Sequence, residues 1–212
     1  MKNTSDNLFK KYRHAIFILY APIYMICFMA LEKLNTDNVT LIHMPLDDII
    51  PFCEYFIIPY ILWFLYIAAG LIFFFFYSQK EFVRYATFLV TGMSICLVIY
   101  ALFPNGVNLR PESVDTSGIC GYLVNMIYTA DTSTNVFPSI HCLNSFATHI
   151  AVSKCEYFRK RPILIYASAI LTVLICLSTM FLKQHSAWDF VGAVVLAAIL
   201  YIAVYVIPAK KQ

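Results

Sequence analysis

The chain has 212 residues, of which 61% are hydrophobic and 13% are charged. A water-soluble domain of this size needs far less apolar surface, so the lipid bilayer is the predicted solvent for most of the chain. The net charge is only +3, and no basic stripe with interleaved aromatic residues occurs, so a nucleic-acid-binding protein is not expected. The length fits one integral membrane domain, residues 1–212.

Five segments are long and apolar enough to approach the roughly 20 helical residues that span a hydrocarbon core. They are residues 15–31, 55–77, 85–103, 163–182 and 190–207. The first follows a basic stretch but lacks a good cleavage site, so we interpret it as an uncleaved anchor.

A sixth, weaker segment covers residues 138–153 and carries several polar side chains: His141, Asn144, Ser145, Thr148 and His149. Polar side chains in a spanning helix must face the bundle interior. We expect those of the middle of this segment to form interhelical hydrogen bonds, and we interpret His149 as structural.

The distribution of cations predicts the topology. With the N-terminus in the cytoplasm and six alternating spans, only Lys33, Arg110 and Lys183 lie outside. Twelve cations lie inside: Lys2, Lys10, Lys11, Arg13, Lys80, Arg84, Lys154, Arg159, Lys160, Arg161, Lys210 and Lys211. This bias requires an even number of spans. We therefore predict an all-α polytopic membrane protein, a six-transmembrane-helix bundle in the plasma (cell) membrane. Both termini are cytoplasmic, and the active-site loop is extracytoplasmic.

The longest connecting segment, residues 104–137, lies on the predicted outer face and includes a possible short helix at "GYLVNMIY". Loops of this length in compact domains are usually functional. An earlier outer segment, "PLDDIIPF", is predicted to form an amphipathic turn in the membrane interface.

Three polar clusters converge on this face. Arg110 follows the third span, Ser139 and His141 begin the fourth, and "KQHSAWD" begins the sixth with Lys183, His185 and Asp189. On a helix, His185 and Asp189 are spaced so that the carboxylate reaches one ring nitrogen. The other ring nitrogen is then available as a nucleophile or a base.

A phosphate group fits these clusters better than a neutral substrate does. Pro138 in a first helical turn leaves the following amides pointing at an anion above the helix. The planar fork of Arg110 suits phosphate oxygens. His141, one turn into the segment, is placed to donate a proton to a departing oxygen.

These residues resemble the type 2 phosphatidic acid phosphatase superfamily, whose members are six-span lipid phosphatases related to vanadium haloperoxidases. The family pattern is Lys-x6-Arg-Pro, then Pro-Ser-Gly-His, then Ser-Arg-x5-His-x3-Asp. This chain has Arg110-Pro111, then Pro138-Ser139-Ile140-His141, then Ser178, His185 and Asp189 at the family spacing. The resemblance covers an active-site core of about residues 103–208.

The resemblance implies a phosphohistidine mechanism. His185 attacks phosphorus, Asp189 orients it, and His141 protonates the leaving lipid. Arg110, Ser139, Lys183 and Ser178 are the predicted phosphate-binding residues. No cofactor or metal is implied, and the expected partner is a lipid phosphate such as a phospholipid or a polyprenyl phosphate or diphosphate.

The chain departs from the family pattern at three positions. Phe103 stands where the family has its first-motif lysine, Thr179 replaces the third-motif arginine, and Ile140 replaces a glycine. The "FPSIHC" and "KQHSAWD" forms are closer to the inositolphosphotransferase-like and sphingolipid-synthase-like branch, which moves a phospho-headgroup between lipids. A phosphodiester carries one charge less than a dianionic monoester and needs fewer cations.

The sequence leaves several alternatives open. Lipid phosphotransferase activity is an alternative to lipid phosphatase activity. The two missing cations are also compatible with an inactive scaffold or a transporter. The histidines and Asp189 have tolerable spacing for a metal, but Arg110 would repel a divalent cation. The seven cysteines include no CxxC pair, so neither a disulfide framework nor a zinc site is expected. The lipid and the oligomeric state are not determined.

Overall fold

The computed structural model describes residues 13–34 and 39–209, and within these ranges the chain is almost entirely helical. The α-helices in chain order are α1 (Tyr20–Leu34), α2 (Pro45–Ile49), α3 (Ile57–Tyr77), α4 (Gln79–Leu102), α5 (Ile119–Ala130), α6 (Ile140–Lys154), α7 (Glu156–Arg159), α8 (Pro162–Phe181), α9 (Ala187–Tyr201) and α10 (Ile207–Ala209). Short 3₁₀ segments precede α1 (Arg13–Leu19) and α3 (Glu54–Phe56), and a π-helical turn (Ile202–Val206) extends α9.

Five of these helical segments are long and apolar enough to cross a membrane. They are His14–Leu34, Glu54–Tyr77, Gln79–Leu102, Pro162–Phe181 and Ala187–Val206. Each corresponds to one of the five apolar segments predicted from the sequence. The protein is therefore an all-α polytopic membrane protein, as predicted.

The weak segment forms α6, a helix of 15 residues. At 1.5 Å per residue such a helix is roughly 22 Å long, shorter than a hydrocarbon core of about 30 Å. Its polar residues face the bundle interior as predicted, because Asn144, Ser145 and Thr148 are all buried. The Thr148 hydroxyl lies 2.7 Å from the hydroxyl of Tyr85 on α4, so α6 is tied to a neighbouring helix by a buried hydrogen bond.

His149 also makes an interhelical contact. Its Nδ1 lies 3.1 Å from the hydroxyl of Ser168 on α8. This bond supports the structural interpretation of His149.

Close packing places α6 at the centre of the bundle. A Cβ atom added at Gly92 of α4 would lie 2.9 Å from Leu143 of α6 and 3.1 Å from Leu200 of α9. A larger residue at this position would require the side chains of Leu143 and Leu200 to shift.

The long helices alternate in direction, so the bundle has two distinct ends. At one end, Tyr77 of α3 packs against Tyr157 of α7, with ring centroids 5.7 Å apart. At the other end, Phe56 stacks on Phe181, with centroids 4.3 Å apart. The first end carries Lys80, Arg84, Lys154, Arg159, Lys160 and Arg161 of the predicted inner face, and the second carries Lys33, Arg110 and Lys183. Lys2, Lys10, Lys11, Lys210 and Lys211 of the topology prediction lie outside the described residues.

Asn105 organises the long loop at the second end. This residue is fully buried and lies in β2 (Asn105–Gly106), which pairs in parallel with β1 (Thr40–Leu41). Its side-chain oxygen accepts hydrogen bonds from the amides of Val136 (2.9 Å) and Phe137 (2.8 Å). The loop is thereby fixed just before α6 begins. The predicted short helix in this loop is present as α5.

Candidate active site

The first turn of α6 is fixed by Ser139. This buried residue is the N-cap, and its hydroxyl accepts a hydrogen bond from the amide of Cys142 at 3.4 Å. Its own amide donates to the main-chain oxygen of Asp189 at 3.1 Å, which joins the start of α6 to α9. Pro138 precedes the cap instead of occupying the first turn, where the sequence pattern had suggested it. His141 is the second residue of the helix.

The segment between α8 and α9 carries His185. Lys183 has a φ of 53°, in the left-handed region that reverses the chain after a helix. The amides of Gln184 and His185 then both donate to the main-chain oxygen of Thr179, at 3.0 and 3.1 Å. This turn fixes the backbone at both residues. Thr179, which stands at the position of the family's third-motif arginine, is fully buried. This position therefore offers no cation to a phosphate.

His185 and Asp189 form the predicted hydrogen bond, with Nδ1 and Oδ2 3.1 Å apart. His185 lies in the turn before α9 rather than on the helix, and Asp189 lies in the first turn of α9. The same carboxylate oxygen accepts a hydrogen bond from the amide of Ser186 at 2.9 Å. An ionised carboxylate only accepts, so Nδ1 carries the hydrogen and Nε2 presents its lone pair.

The rings of His141 and His185 are neighbours, with centroids 5.7 Å apart. His141 lies against two aromatic rings of α3, those of Tyr60 (4.7 Å) and Trp63 (4.4 Å). The rings of Tyr60, Trp63 and His185 surround His141 and place no negative charge beside it. A bound anion would therefore stabilise a positive charge on the His141 ring.

The pKa of His185 lies above the usual value for histidine. Burial lowers this pKa, but the hydrogen bond to Asp189 and the negative charge of that carboxylate raise it by more. Protonation at Nε2 is therefore favoured, and the free nucleophile requires a pH above the ordinary histidine range.

Arg110 is held entirely by the protein. Its Nε donates to the side-chain oxygen of Gln184 at 3.1 Å, and Nη2 donates to the same oxygen. The remaining N–H groups donate to the main-chain oxygens of Tyr128, Asp131 and Thr132, at 3.0–3.1 Å. All five N–H donors of the guanidinium are thus occupied. In this arrangement Arg110 anchors the end of α5 and has no donor left for a phosphate.

Two other predicted phosphate-binding residues lie away from the imidazoles. The ammonium of Lys183 donates to the main-chain oxygens of Asp47 (2.6 Å) and Ile50. The hydroxyl of Ser178 is buried in α8 and donates to the main-chain oxygen of Ile175 at 2.7 Å. The structure therefore brings together His141, His185 and Asp189, with Ser139 as a cap, and directs Lys183 and Ser178 elsewhere.

Asp47 is a site residue that the sequence analysis did not identify. Its carboxylate is buried and accepts hydrogen bonds from the Ser186 hydroxyl (2.6 Å) and the amides of Ala187 (2.8 Å) and Met44 (2.8 Å). It docks α2 onto the N-terminus of α9, immediately after His185. An acidic residue within the apolar run "MPLDDIIPF" was the only available signal.

We expect Asp47→Ala to lower the free energy of unfolding by about 2–4 kcal/mol, because two amides and a hydroxyl lose a charged acceptor. Thermal unfolding in detergent measures the effect. The matched control is Asp48→Ala. Asp48 is exposed and, among the residues that the structure describes, pairs only with the exposed ring of His43 at 2.9 Å. Surface pairs of this kind contribute little. Equal stability of the two variants would contradict the docking role of Asp47.

The two imidazoles line a cavity of about 290 Å³. The other lining residues are mostly aromatic or aliphatic. They come mainly from α1, α3, α4 and α5 and from the loop before α6, and the polar ones include Asp131 and Gln184. Met25 of α1 and Phe64 of α3 line the cavity and are both more than half exposed. The cavity therefore reaches the outer surface of the bundle between α1 and α3.

The sequence model of the PAP2 superfamily matches residues 85–212, a region that contains both imidazoles, Asp189 and Arg110. Comparison with curated proteins and with solved structures finds no match. The resemblance stated from the sequence motifs is confirmed at the level of the superfamily. With more than half of its length matched, the chain belongs to the PAP2 superfamily.

Proposed function

We propose that this protein is a membrane lipid phosphatase or phosphotransferase that works through a phosphohistidine at His185. Membership in the PAP2 superfamily supports phosphoryl-transfer chemistry related to lipids. The observation that carries the proposal is the pairing of the two imidazoles, 5.7 Å apart, with the Asp189 carboxylate behind one of them. This is the arrangement of an orienting acid, a nucleophile and a second proton-transfer group.

In the first step, Nε2 of His185 forms a bond to phosphorus as the bond from phosphorus to the lipid oxygen breaks. Asp189 holds the ring through Nδ1 and stabilises the charge that develops on it. His141, protonated when the phosphate anion is bound, gives its proton to the departing alcohol oxygen. The products of this step are the free lipid alcohol and a phosphorylated His185.

In the second step, an oxygen nucleophile attacks the phosphohistidine. His141, now neutral, takes the proton of the attacking water or alcohol, and the N–P bond breaks. Water gives hydrolysis, and a second lipid alcohol gives transfer. The site is regenerated with His185 neutral and His141 protonated.

The apolar cavity supports a lipid substrate. Its aromatic and aliphatic lining suits hydrocarbon, and its opening beside Met25 and Phe64 allows the acyl chains to remain in the bilayer while the headgroup reaches His185. We place the imidazoles on the extracytoplasmic side of the plasma membrane, because the cations of the predicted inner loops lie at the opposite end of the bundle.

The experiment that tests this function uses the purified full chain and a lipid panel. The panel contains phosphatidic acid, phosphatidylglycerophosphate, a polyprenyl diphosphate and phosphodiester lipids, and both free phosphate and new lipids are assayed. We expect turnover of at least one lipid, with ³²P label trapped on histidine as an acid-labile, base-stable adduct. Free phosphate alone indicates hydrolysis, and a new headgroup lipid indicates transfer. A protein without turnover or label would be a scaffold or a transporter.

A further inference from the structure

The side-chain amide of Gln184 is held in one orientation. Gln184 is 4% exposed, and its Oε1 accepts hydrogen bonds from both Nε and Nη2 of Arg110. Since a guanidinium only donates, the amide oxygen must face Arg110 and the NH₂ group must face away. Among the described residues, the buried Nε2 makes no hydrogen bond. The hydroxyl of Tyr60 lies beside the Gln184 amide and interacts with it weakly, without completing a hydrogen bond to Nε2.

This donor without a partner lies at the imidazoles. Gln184 immediately precedes His185 in the chain, and both residues line the same cavity with His141. Buried polar groups in native proteins nearly always have a hydrogen-bond partner. We therefore expect a bound ligand to supply the partner that Nε2 of Gln184 lacks. The partner must be an acceptor. Two hydrogen bonds from a cation to Oε1 also polarise the amide and make Nε2 a stronger donor.

The charges around the cavity limit the anion that fits it. Arg110 contributes one positive charge, but its five N–H groups are occupied, and the ammonium of Lys183 is bound to the α2 segment. Asp131, which lines the cavity, contributes a carboxyl group. Glu32 is close to it, since its Oε1 accepts a hydrogen bond from the hydroxyl of the adjacent Thr132 at 2.7 Å. Apart from the proton on His141, each added negative charge on the substrate therefore meets two carboxyl groups and one engaged cation, Arg110.

We propose that Gln184 donates a hydrogen bond to a non-bridging phosphate oxygen, and that the site selects a singly charged lipid phosphodiester over a doubly charged phosphate monoester. The inference rests on the proposed function and specifies its substrate class. A neutral, polarised donor stabilises one negative charge without the cations that a dianion requires.

A phosphodiester substrate reacts in two steps. The bond from Nε2 of His185 to phosphorus forms, the ester bond to the lipid alcohol breaks, and His141 supplies the proton to that alcohol. The headgroup phosphate stays on His185 as a singly charged phosphoramidate ester. The acceptor alcohol or water then takes the phospho-headgroup and returns a proton to His141.

The test compares lipids that share the same acyl chains. Phosphatidylethanolamine, phosphatidylcholine, phosphatidylglycerol and phosphatidylinositol are each compared with phosphatidic acid. A diacylglycerol with different acyl chains is present as the acceptor, so that the transfer product differs from the donor lipid. The assay runs at about pH 8, above the second pKa of a phosphate monoester, roughly 6. We expect at least one diester to show a kcat/KM about 10-fold or more above that of phosphatidic acid.

The matching variant is Gln184→Glu, which keeps an acceptor for Arg110 and replaces the NH₂ donor with an oxygen. Losing one preorganised donor to the transition state should reduce kcat/KM for the diester on the order of 100-fold. The control is Gln79→Glu, because Gln79 is exposed at the start of α4, far from the imidazoles. Thermal unfolding verifies that both variants are folded.

Each outcome decides the inference. A preference for phosphatidic acid in the wild-type protein overturns it and leaves the proposed function intact, and this readout does not depend on any variant folding. A folded Gln184→Glu protein with wild-type kcat/KM also overturns it. A wild-type protein that turns over none of the lipids and forms no phosphohistidine overturns the proposed function and this inference together.

Discussion

Replacement of His185 by alanine should abolish phosphoryl transfer, with kcat/KM reduced on the order of 10⁴-fold or more. Its Nε2 is the atom proposed to bond to phosphorus. The ring of His141 is not paired with a carboxylate in this way; it lies against Tyr60 and Trp63. The measurements are steady-state turnover of the lipid identified by the panel and ³²P incorporation into the protein, and both should be lost.

The loss must be separated from unfolding, because His185→Ala leaves the buried Asp189 carboxylate without its ring partner. His185→Asn provides that control, since its amide can still donate to Asp189 while lacking a nucleophilic nitrogen. His149→Ala is the matched histidine control: this residue is hydrogen-bonded to Ser168 on α8 and lies outside the cavity lining. We expect turnover of His149→Ala within about threefold of wild type. Substantial turnover by folded His185→Asn would refute the nucleophile assignment.

The long helices were predictable because the signal for each lies within one continuous segment, an uninterrupted apolar run of about 20 residues. The His185–Asp189 contact was predictable for the same reason, since four residues separate its partners. Even there, the turn before α9 was missed. It depends on the left-handed conformation of Lys183, which a non-glycine residue adopts only when its surroundings stabilise it.

The parts of the site that could not be predicted depend on contacts between distant segments. Arg110 and Gln184 are 74 residues apart, and Asp47 and Ala187 are 140 residues apart. No periodicity or spacing rule connects such positions. From the sequence, Arg110 and Lys183 were simply available cations near a histidine. In the structure, the donors of Arg110 are occupied by the Gln184 side-chain oxygen and by main-chain carbonyls, and the Lys183 ammonium donates to main-chain carbonyls. The uncharged amide of Gln184 remains at the imidazoles.

The other large effect is expected for Asp189→Asn, which should lower kcat on the order of 10³-fold. An asparagine side chain can face Nδ1 of His185 with either its oxygen or its NH₂ group, so the ring tautomer with a free Nε2 is no longer enforced. The substitution also removes the charge that stabilises the phosphohistidine as it forms. The introduced amide retains an oxygen that can accept from the main-chain N–H of Ser186, so the first turn of α9 stays capped.

The pH profile separates this orienting role from a structural one. In the wild type, the hydrogen bond and charge of Asp189 outweigh burial and raise the pKa of His185, so kcat/KM falls as pH drops through a value above the ordinary 6.5 or so. Without that carboxylate, burial lowers the pKa of His185, and the acid limb moves to lower pH. Asp131 and His141 face the same cavity and are unchanged in the variant. A merely destabilised protein loses activity at every pH, and the acid limb of its pH profile does not move. An acid limb that stays in place in Asp189→Asn would show that this carboxylate does not control the nucleophile.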